Sequence, residues 1–191
     1  MTNRELAENA YAFATNARTC YLKGGFGQRL TYAEYNRLCT QYPDNTKYKN
    51  ADKANTDCYP FDCICFVKAL TCGLQNGDYL TYNQLKNGPL GDCTNKQFID
   101  GLYDCCAPKD APAGYGLATS GHAAISLGSG TWIDANFSGA QNGVQVHTSG
   151  IEQFTKAGKI KGVVYNDAPI TERDTLIKFA TWLVDYYLKN R

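Results

Sequence analysis

A cysteine and a histidine stand where both could take part in nucleophilic chemistry. Cys63 follows Asp62 at the start of an apolar stretch that predicts a buried helix, and His122 follows a glycine at the start of a predicted strand. A thiol attacks a carbonyl carbon as the thiolate, so it requires a base and a positive electrostatic field. A helix N-terminus supplies the field and an imidazole supplies the base. The pair therefore indicates a hydrolase with a cysteine nucleophile.

Four other residues leave open which side chains act as nucleophile, base and orienting group. Cys65 lies about 200° around the helix from Cys63 at 3.6 residues per turn, so it should face the core when Cys63 faces a cleft. The other histidine, His147, ends a polar-alternating strand and is expected to be a surface or satisfied residue, with the role of base as a fallback. An imidazole also needs an orienting acceptor, which Asp134 or Asn136 could supply from the next strand.

Four motifs, in the right order, resemble the NlpC/P60 family of cell-wall cysteine peptidases. Residues 62–67 match the family's Asp-Cys-Ser-Gly-Phe-Val motif at four of six positions, with Ile64 and Cys65 as the departures. Residues 21–25 resemble its Tyr-x-x-Gly-Gly motif, the strand beginning at His122 resembles its histidine strand, and 132–135 fall where the family places its third residue.

The resemblance implies a Cys63, His122, Asp134 catalytic set. It favours Asp134 over Asn136, although a three-residue hairpin loop at 128–130 would put Asn136 directly opposite His122; a bulge in the hairpin could shift this register. It also implies that Tyr21 helps to stabilise an oxyanion together with the backbone amide of Cys63. Trp132 could line the substrate groove or pack in the core, and the sequence does not separate these roles.

Composition sets the class of protein. The chain has 191 residues, which suits one catalytic domain, and its formal charge of +1 disfavours nucleic acid and acidic membranes as partners. No apolar stretch is long enough to span a membrane, and the N-terminus lacks the apolar region of a signal peptide. We therefore expect synthesis in the cytoplasm and release by another route.

Of nine cysteines, the eight other than Cys63 are expected to be mostly buried free thiols. Their spacing does not fit a zinc site, and we expect no metal or cofactor.

The order of predicted elements is helices first and sheet second. Thr-x-x-Glu or Thr-x-x-Gln patterns predict helix starts at Thr2, Thr31 and Thr94, and 41–56 predict a long polar loop. From Gly121 the period changes to two, and the predicted strands are 122–127, 131–137, 143–147 and 161–165. This predicts an α+β domain at 1–166 with the papain-like plan, its N-terminal helices packed on an antiparallel sheet. Residues 167–191 predict a linker and a C-terminal amphipathic helix that could mediate self-association.

The resemblance implies a peptidoglycan hydrolase that cuts an amide bond in the stem peptide, most often after D-glutamate, through a thioester. Without a leader or a separate wall-binding module, the chain is most similar to a phage or prophage endolysin that reaches the wall through a holin or by lysis. The alternatives are a CHAP-like N-acetylmuramoyl-L-alanine amidase, a toxin effector that cuts another amide, and an inactive wall-binding module.

Overall fold

The computed structural model describes residues 1–138 and 141–166. It combines helices with an antiparallel sheet, as an α+β domain does. The predicted linker and C-terminal helix at 167–191 lie outside the described residues. None of the helices in the described part is long and apolar enough to cross a membrane.

The helices begin where local capping signals predict them. The side chains of Thr2, Thr31 and Thr94 each accept a hydrogen bond from the backbone amide three residues later, and at Thr2 and Thr94 the capping box is complete. A further capped helix, which was not predicted, begins after Thr81. The α-helices of the described residues are α1 (Asn3–Asn16), α2 (Tyr32–Gln41), α3 (Cys63–Thr71), α4 (Tyr82–Lys86) and α5 (Asn95–Gly101).

Most of the strands form one antiparallel sheet, and the remaining two form a separate parallel pair. The strands are β1 (Arg18–Tyr21), β2 (Cys58–Phe61), β3 (Tyr103–Cys106), β4 (Gly116–Ala118), β5 (Ala123–Gly128), β6 (Thr131–Ser138), β7 (Gln141–His147) and β8 (Lys156–Lys159). The order of the large sheet is β3-β8-β4-β5-β6-β7, so β5, β6 and β7 lie side by side in chain order. The parallel pair, β1-β2, leads into the first turn of α3.

Two of the expectations for this part of the chain are wrong. The last strand of the described part is β8 rather than 161–165, because a turn at Lys161 and Gly162, where Gly162 has φ +85°, follows it. The segment 41–56 is polar but not a plain loop. It forms 3₁₀ turns at Pro43–Tyr48 and Ala51–Lys53, and it contributes Asn45 and Asn50, both fully buried.

The core places α3 against the sheet. Phe66, Val67 and Leu70 of α3 pack in one apolar cluster with Ile125 and Ile133 from the facing side of β5 and β6. A second cluster contains Ala124 and Trp132, which alternate with those isoleucines. The expectation that the nucleophile helix packs on the sheet carrying the histidine is confirmed.

Candidate active site

Cys63 is the first residue of α3, at the positive end of the helix. Asp62 caps the helix, since its carboxylate accepts a hydrogen bond of 2.7 Å from the Cys65 amide. The same carboxylate accepts one of 2.9 Å from the Gly24 amide, so it ties the first turn of α3 to the segment after β1. Cys63 is only 5% exposed.

The two glycines after Tyr21 explain how these segments come so close. Gly24 has φ +78°, a conformation that other residues adopt only with strain, and it turns its amide onto Asp62. A Cβ on Gly25 would lie 2.7 Å from the Pro60 carbonyl carbon, and the Gly25 carbonyl accepts from the Asp62 amide. Larger residues here would push β2, and therefore Cys63, out of place.

His122 connects Cys63 to Asp134. Its Nε2 lies 2.6 Å from Oδ2 of Asp134, and interaction with the Cys63 thiol also raises the pKa of the ring. Because Nε2 is engaged by Asp134, Nδ1 is the ring nitrogen left for the sulfur. Asp134 is fully buried. The structure thus brings together the three residues singled out in the sequence.

The contact between His122 and Asp134 runs diagonally across the hairpin. The hairpin does contain a bulge between Ser126 and Gly128, but beyond it Ile125 pairs with Ile133. Continued toward His122, that register sets Ala124 opposite Asp134 and His122 opposite Asn136. The bulge therefore does not bring His122 opposite Asp134. The expected reason for choosing Asp134, a bulge that shifts the register, is therefore wrong. The small Ala124 side chain, fully buried, leaves room for the imidazole to lean across to the carboxylate.

Asn136 bonds elsewhere than to His122. Its side-chain oxygen accepts a hydrogen bond of 2.7 Å from the Phe137 amide, and its carbonyl accepts one from Gln145. The short amide is therefore engaged with the backbone of its own strand.

The electrostatics of the site favour a protonated imidazole. Burial alone would lower the pKa of His122, but the hydrogen bonds with Asp134 and Cys63 outweigh it and raise the pKa from 6.5 to about 10. His122 is therefore an imidazolium at neutral pH. A cation beside the sulfur, together with the helix N-terminus, supplies the positive field that an attacking thiol requires.

His147, which the sequence suggested only as a fallback base, lies on the same carboxylate. Its Nε2 lies 2.9 Å from Oδ1 of Asp134, so the two histidines approach Asp134 from the strands on either side. Only 22% of the His147 side chain is exposed, so of the two expectations, a surface residue or a satisfied one, the second is confirmed. The alternation of side chains along a strand is the signal that could have placed His147 here. It puts His147 on the same sheet face as three residues of β6 and β7: Trp132, Asp134 and Gln145.

Trp132 packs inside the domain. It is 3% exposed, its ring lies 3.8 Å from that of His147 at an interplanar angle of 13°, and its indole N–H donates to the Ser149 carbonyl. Of the two roles open to Trp132, the structure supports core packing and corrects the assignment to a substrate groove, since the side chain has almost no free surface.

Asn95, the first residue of α5, is a site residue that the sequence did not indicate. Its side-chain amide nitrogen lies 3.7 Å from the Cys63 sulfur and its oxygen 3.9 Å. No pattern within 94–101 distinguishes Asn95 from an ordinary helix-start residue, because only the fold brings α5 close to Cys63.

Tyr21 lies close enough to Cys63 for a charge on the sulfur to affect the pKa of its hydroxyl. Burial, followed by the negative charge of a Cys63 thiolate, raises the pKa of the Tyr21 hydroxyl, which therefore stays protonated. The backbone of Tyr21 is held on both sides: its amide donates to Asn142 and its carbonyl accepts from Asn50. The segment 41–56 thus helps to position the residue that the resemblance places at an oxyanion.

Cys65 differs from Cys63 in its surroundings. It packs against the main apolar cluster, and burial raises the pKa of its thiol well above the usual value.

All nine cysteines are free thiols; of the eight besides Cys63, only Cys20 and Cys58 are fully enclosed, so the expectation that most are buried is wrong. Within the described residues, no group of three or more histidine, cysteine or acidic side chains is arranged to hold a metal ion.

Comparison with known proteins found no match to this chain among family profiles, curated proteins or solved structures.

Proposed function

We propose that the chain is a cysteine hydrolase of the papain-like NlpC/P60 type that cuts an amide bond in the stem peptide of peptidoglycan. The observation that carries the proposal is a thiol at a helix N-terminus that interacts with a histidine, whose Nε2 is in turn held by a buried carboxylate. This combination activates sulfur for attack on a carbonyl and holds a proton for the leaving group.

The reaction begins with the ion pair. The Cys63 thiolate attacks the amide carbonyl carbon and forms a carbon–sulfur bond, while the carbonyl oxygen gains the negative charge. The His122 imidazolium then gives its proton to the leaving amine as the carbon–nitrogen bond breaks, which leaves a thioester. A water molecule loses a proton to His122 and attacks the thioester. The carbon–sulfur bond then breaks with its electrons returning to sulfur, the acid product leaves, and the Cys63 thiolate and His122 imidazolium are restored.

Donors for the oxyanion lie on the Cys63 side of the site. The oxyanion is the oxygen attached to the carbon that bonds to the sulfur. The Asn95 side-chain nitrogen, 3.7 Å from the sulfur, therefore lies within reach of this oxygen. The Asn95 amide and the Cys63 backbone amide are the donors we assign. Tyr21, with its hydroxyl kept protonated, is the third.

The choice of peptidoglycan rests on the resemblance of residues 21–25, 62–67 and 132–135 to the cell-wall peptidase motifs. The contacts between these motifs support the choice, because the glycines of the first hold the aspartate of the second, and Asp134 of the third holds His122. We propose an endolysin of phage or prophage origin that acts on the wall after release from the cytoplasm.

Digestion of purified peptidoglycan, with products identified by mass spectrometry, tests this function. We expect new free amines within the stem peptide and no new reducing sugar ends. Cys63→Ala and His122→Ala should both abolish product formation while remaining folded by circular dichroism.

Other products would change the assignment. Release of the whole stem from the sugar would indicate the amidase alternative, and new reducing ends would exclude a peptidase. No product from several wall chemotypes, with Cys63 alkylated no faster than the other thiols, would favour the wall-binding module. Rapid alkylation without a wall product would favour an effector acting on another amide.

A further inference from the structure

The carboxylate of Asp134 is shared by two histidines from opposite neighbouring strands. His122, immediately before β5, contacts Oδ2 at 2.6 Å, and His147 on β7 contacts Oδ1 at 2.9 Å. Asp134 itself sits on the central strand of the three and has no exposed surface.

A fully buried carboxylate needs a donor on each oxygen. Without water, an oxygen that loses its donor keeps the full desolvation cost, about 1–3 kcal/mol and more for a charged group. Such an Asp134 would rotate toward other donors, and the rotation would weaken its hold on His122.

His147 is itself held firmly enough to act as that donor. Its ring stacks on Trp132, whose indole N–H donates to the Ser149 carbonyl at 2.9 Å. His147 and Trp132 are directly paired across β6 and β7, so the stacking follows from the strand register. The stack fixes the plane in which the imidazole presents Nε2 to Asp134.

We propose that His147 is a positioning residue of the active site: its Nε2–H donates to Oδ1 of Asp134 and thereby keeps Oδ2 directed at His122. The role rests on the proposed function, since it is defined by the His122 and Cys63 ion pair. His147 acts through Asp134 and not on the sulfur directly.

The test measures the ion pair without a substrate. The rate of iodoacetamide alkylation at Cys63, followed by peptide mass spectrometry between pH 5 and pH 9, reports how much thiolate His122 supports. His147→Leu keeps a similar volume but removes the donor, and should slow alkylation at pH 6 about tenfold, or ~1.4 kcal/mol. His147→Gln places an amide N–H as many bonds from the backbone as Nε2, and should remain within about threefold of the parent protein.

A double-mutant cycle assigns the effect to the shared carboxylate. In an Asp134→Asn background, His147→Leu should cause no further slowing, because the group through which it acts is already gone. If His147→Leu does not fold, His147→Asn serves instead, since its amide is one bond too short to reach Asp134.

Each outcome decides between the roles. A normal alkylation profile in folded His147→Leu, even with a lowered melting temperature, would reduce His147 to a structural residue and overturn the proposal. Equal slowing in His147→Gln and His147→Leu would also overturn it, because the donor would then not be what matters. If Cys63 of the parent protein reacts no faster than the other thiols, the proposed function fails and the positioning role fails with it.

Discussion

Replacing Asp134 with asparagine tests the centre of the site, because it removes one charge and almost no volume. Asp134 accepts from two imidazoles, at 2.6 Å on one oxygen and 2.9 Å on the other. An asparagine has one oxygen and one NH₂ group, so it can accept from one imidazole N–H but presents N–H to the other. One buried contact becomes donor against donor unless that histidine changes tautomer.

The size of the effect follows from the two hydrogen bonds that the substitution disturbs. Loss of a hydrogen bond to a charged group costs ~1.5–3 kcal/mol, and a buried group left without its partner costs ~1–3 kcal/mol. The two costs overlap because they share one side chain, so we expect about 2–4 kcal/mol in transition-state stabilisation. This corresponds to a roughly 30- to 1,000-fold loss in kcat/KM.

The assay is release of free amines from purified peptidoglycan, with Asn136→Ala as the matched control on the same strand and sheet face. Asn136 bonds to the Phe137 amide and not to His122, so its replacement should change kcat/KM less than about threefold. Circular dichroism must show both variants folded. The reasoning is refuted if Asp134→Asn stays within threefold of the parent protein, or if Asn136→Ala loses as much activity as Asp134→Asn.

Three further changes have expected outcomes. The pH profile of kcat/KM should show an alkaline limb near the His122 pKa of about 10, because the imidazolium is present below that pH and lost above it; in Asp134→Asn the limb should move to lower pH, and an unmoved limb would contradict the pairing. Cys65→Ala should keep activity and lower the free energy of unfolding by about 1 kcal/mol, measured by urea denaturation, because the thiol packs against the core; loss of activity would mean that Cys65 attacks. Asn95→Ala should lower kcat about tenfold or more with little change in iodoacetamide reactivity at Cys63, whereas slowed alkylation with normal kcat would make it a thiol-positioning residue.

The parts of the fold predicted from the sequence are those with local causes. Capped helix starts at Thr2 and Thr94 depend on residues within one turn, and the hairpin strands β5 and β6 alternate clearly. The pair β1 and β2 was missed because each strand has four residues and joins a segment about 40 positions away, so neither shows a local period. Strand β8 was misplaced because its small, half-polar residues carry less signal than the apolar run after it.

The residues of the candidate site likewise fall into those marked by local motifs and those that only the fold brings together. Cys63, His122 and Asp134 were predicted because motifs mark them, yet the pairing of His122 with Asp134 follows from a diagonal contact that no hairpin rule predicts. Asn95 was missed, and His147 was considered only as a fallback base. Their places in the site depend on which elements the fold brings together: α5 over the nucleophile in one case, and β7 beside β6 in the other.

The placement of Asp134 on the central strand accounts for both halves of this arrangement. A carboxylate on an edge strand would keep one oxygen in water and need only one protein donor. On β6, with β5 on one side and β7 on the other, both oxygens are removed from solvent, and each must meet a donor from a neighbouring strand. One histidine comes from each side of β6, and His122 is the one whose pKa is also raised by interaction with Cys63. Burial thus makes the carboxylate an orienting group for His122 and makes that orientation depend on His147.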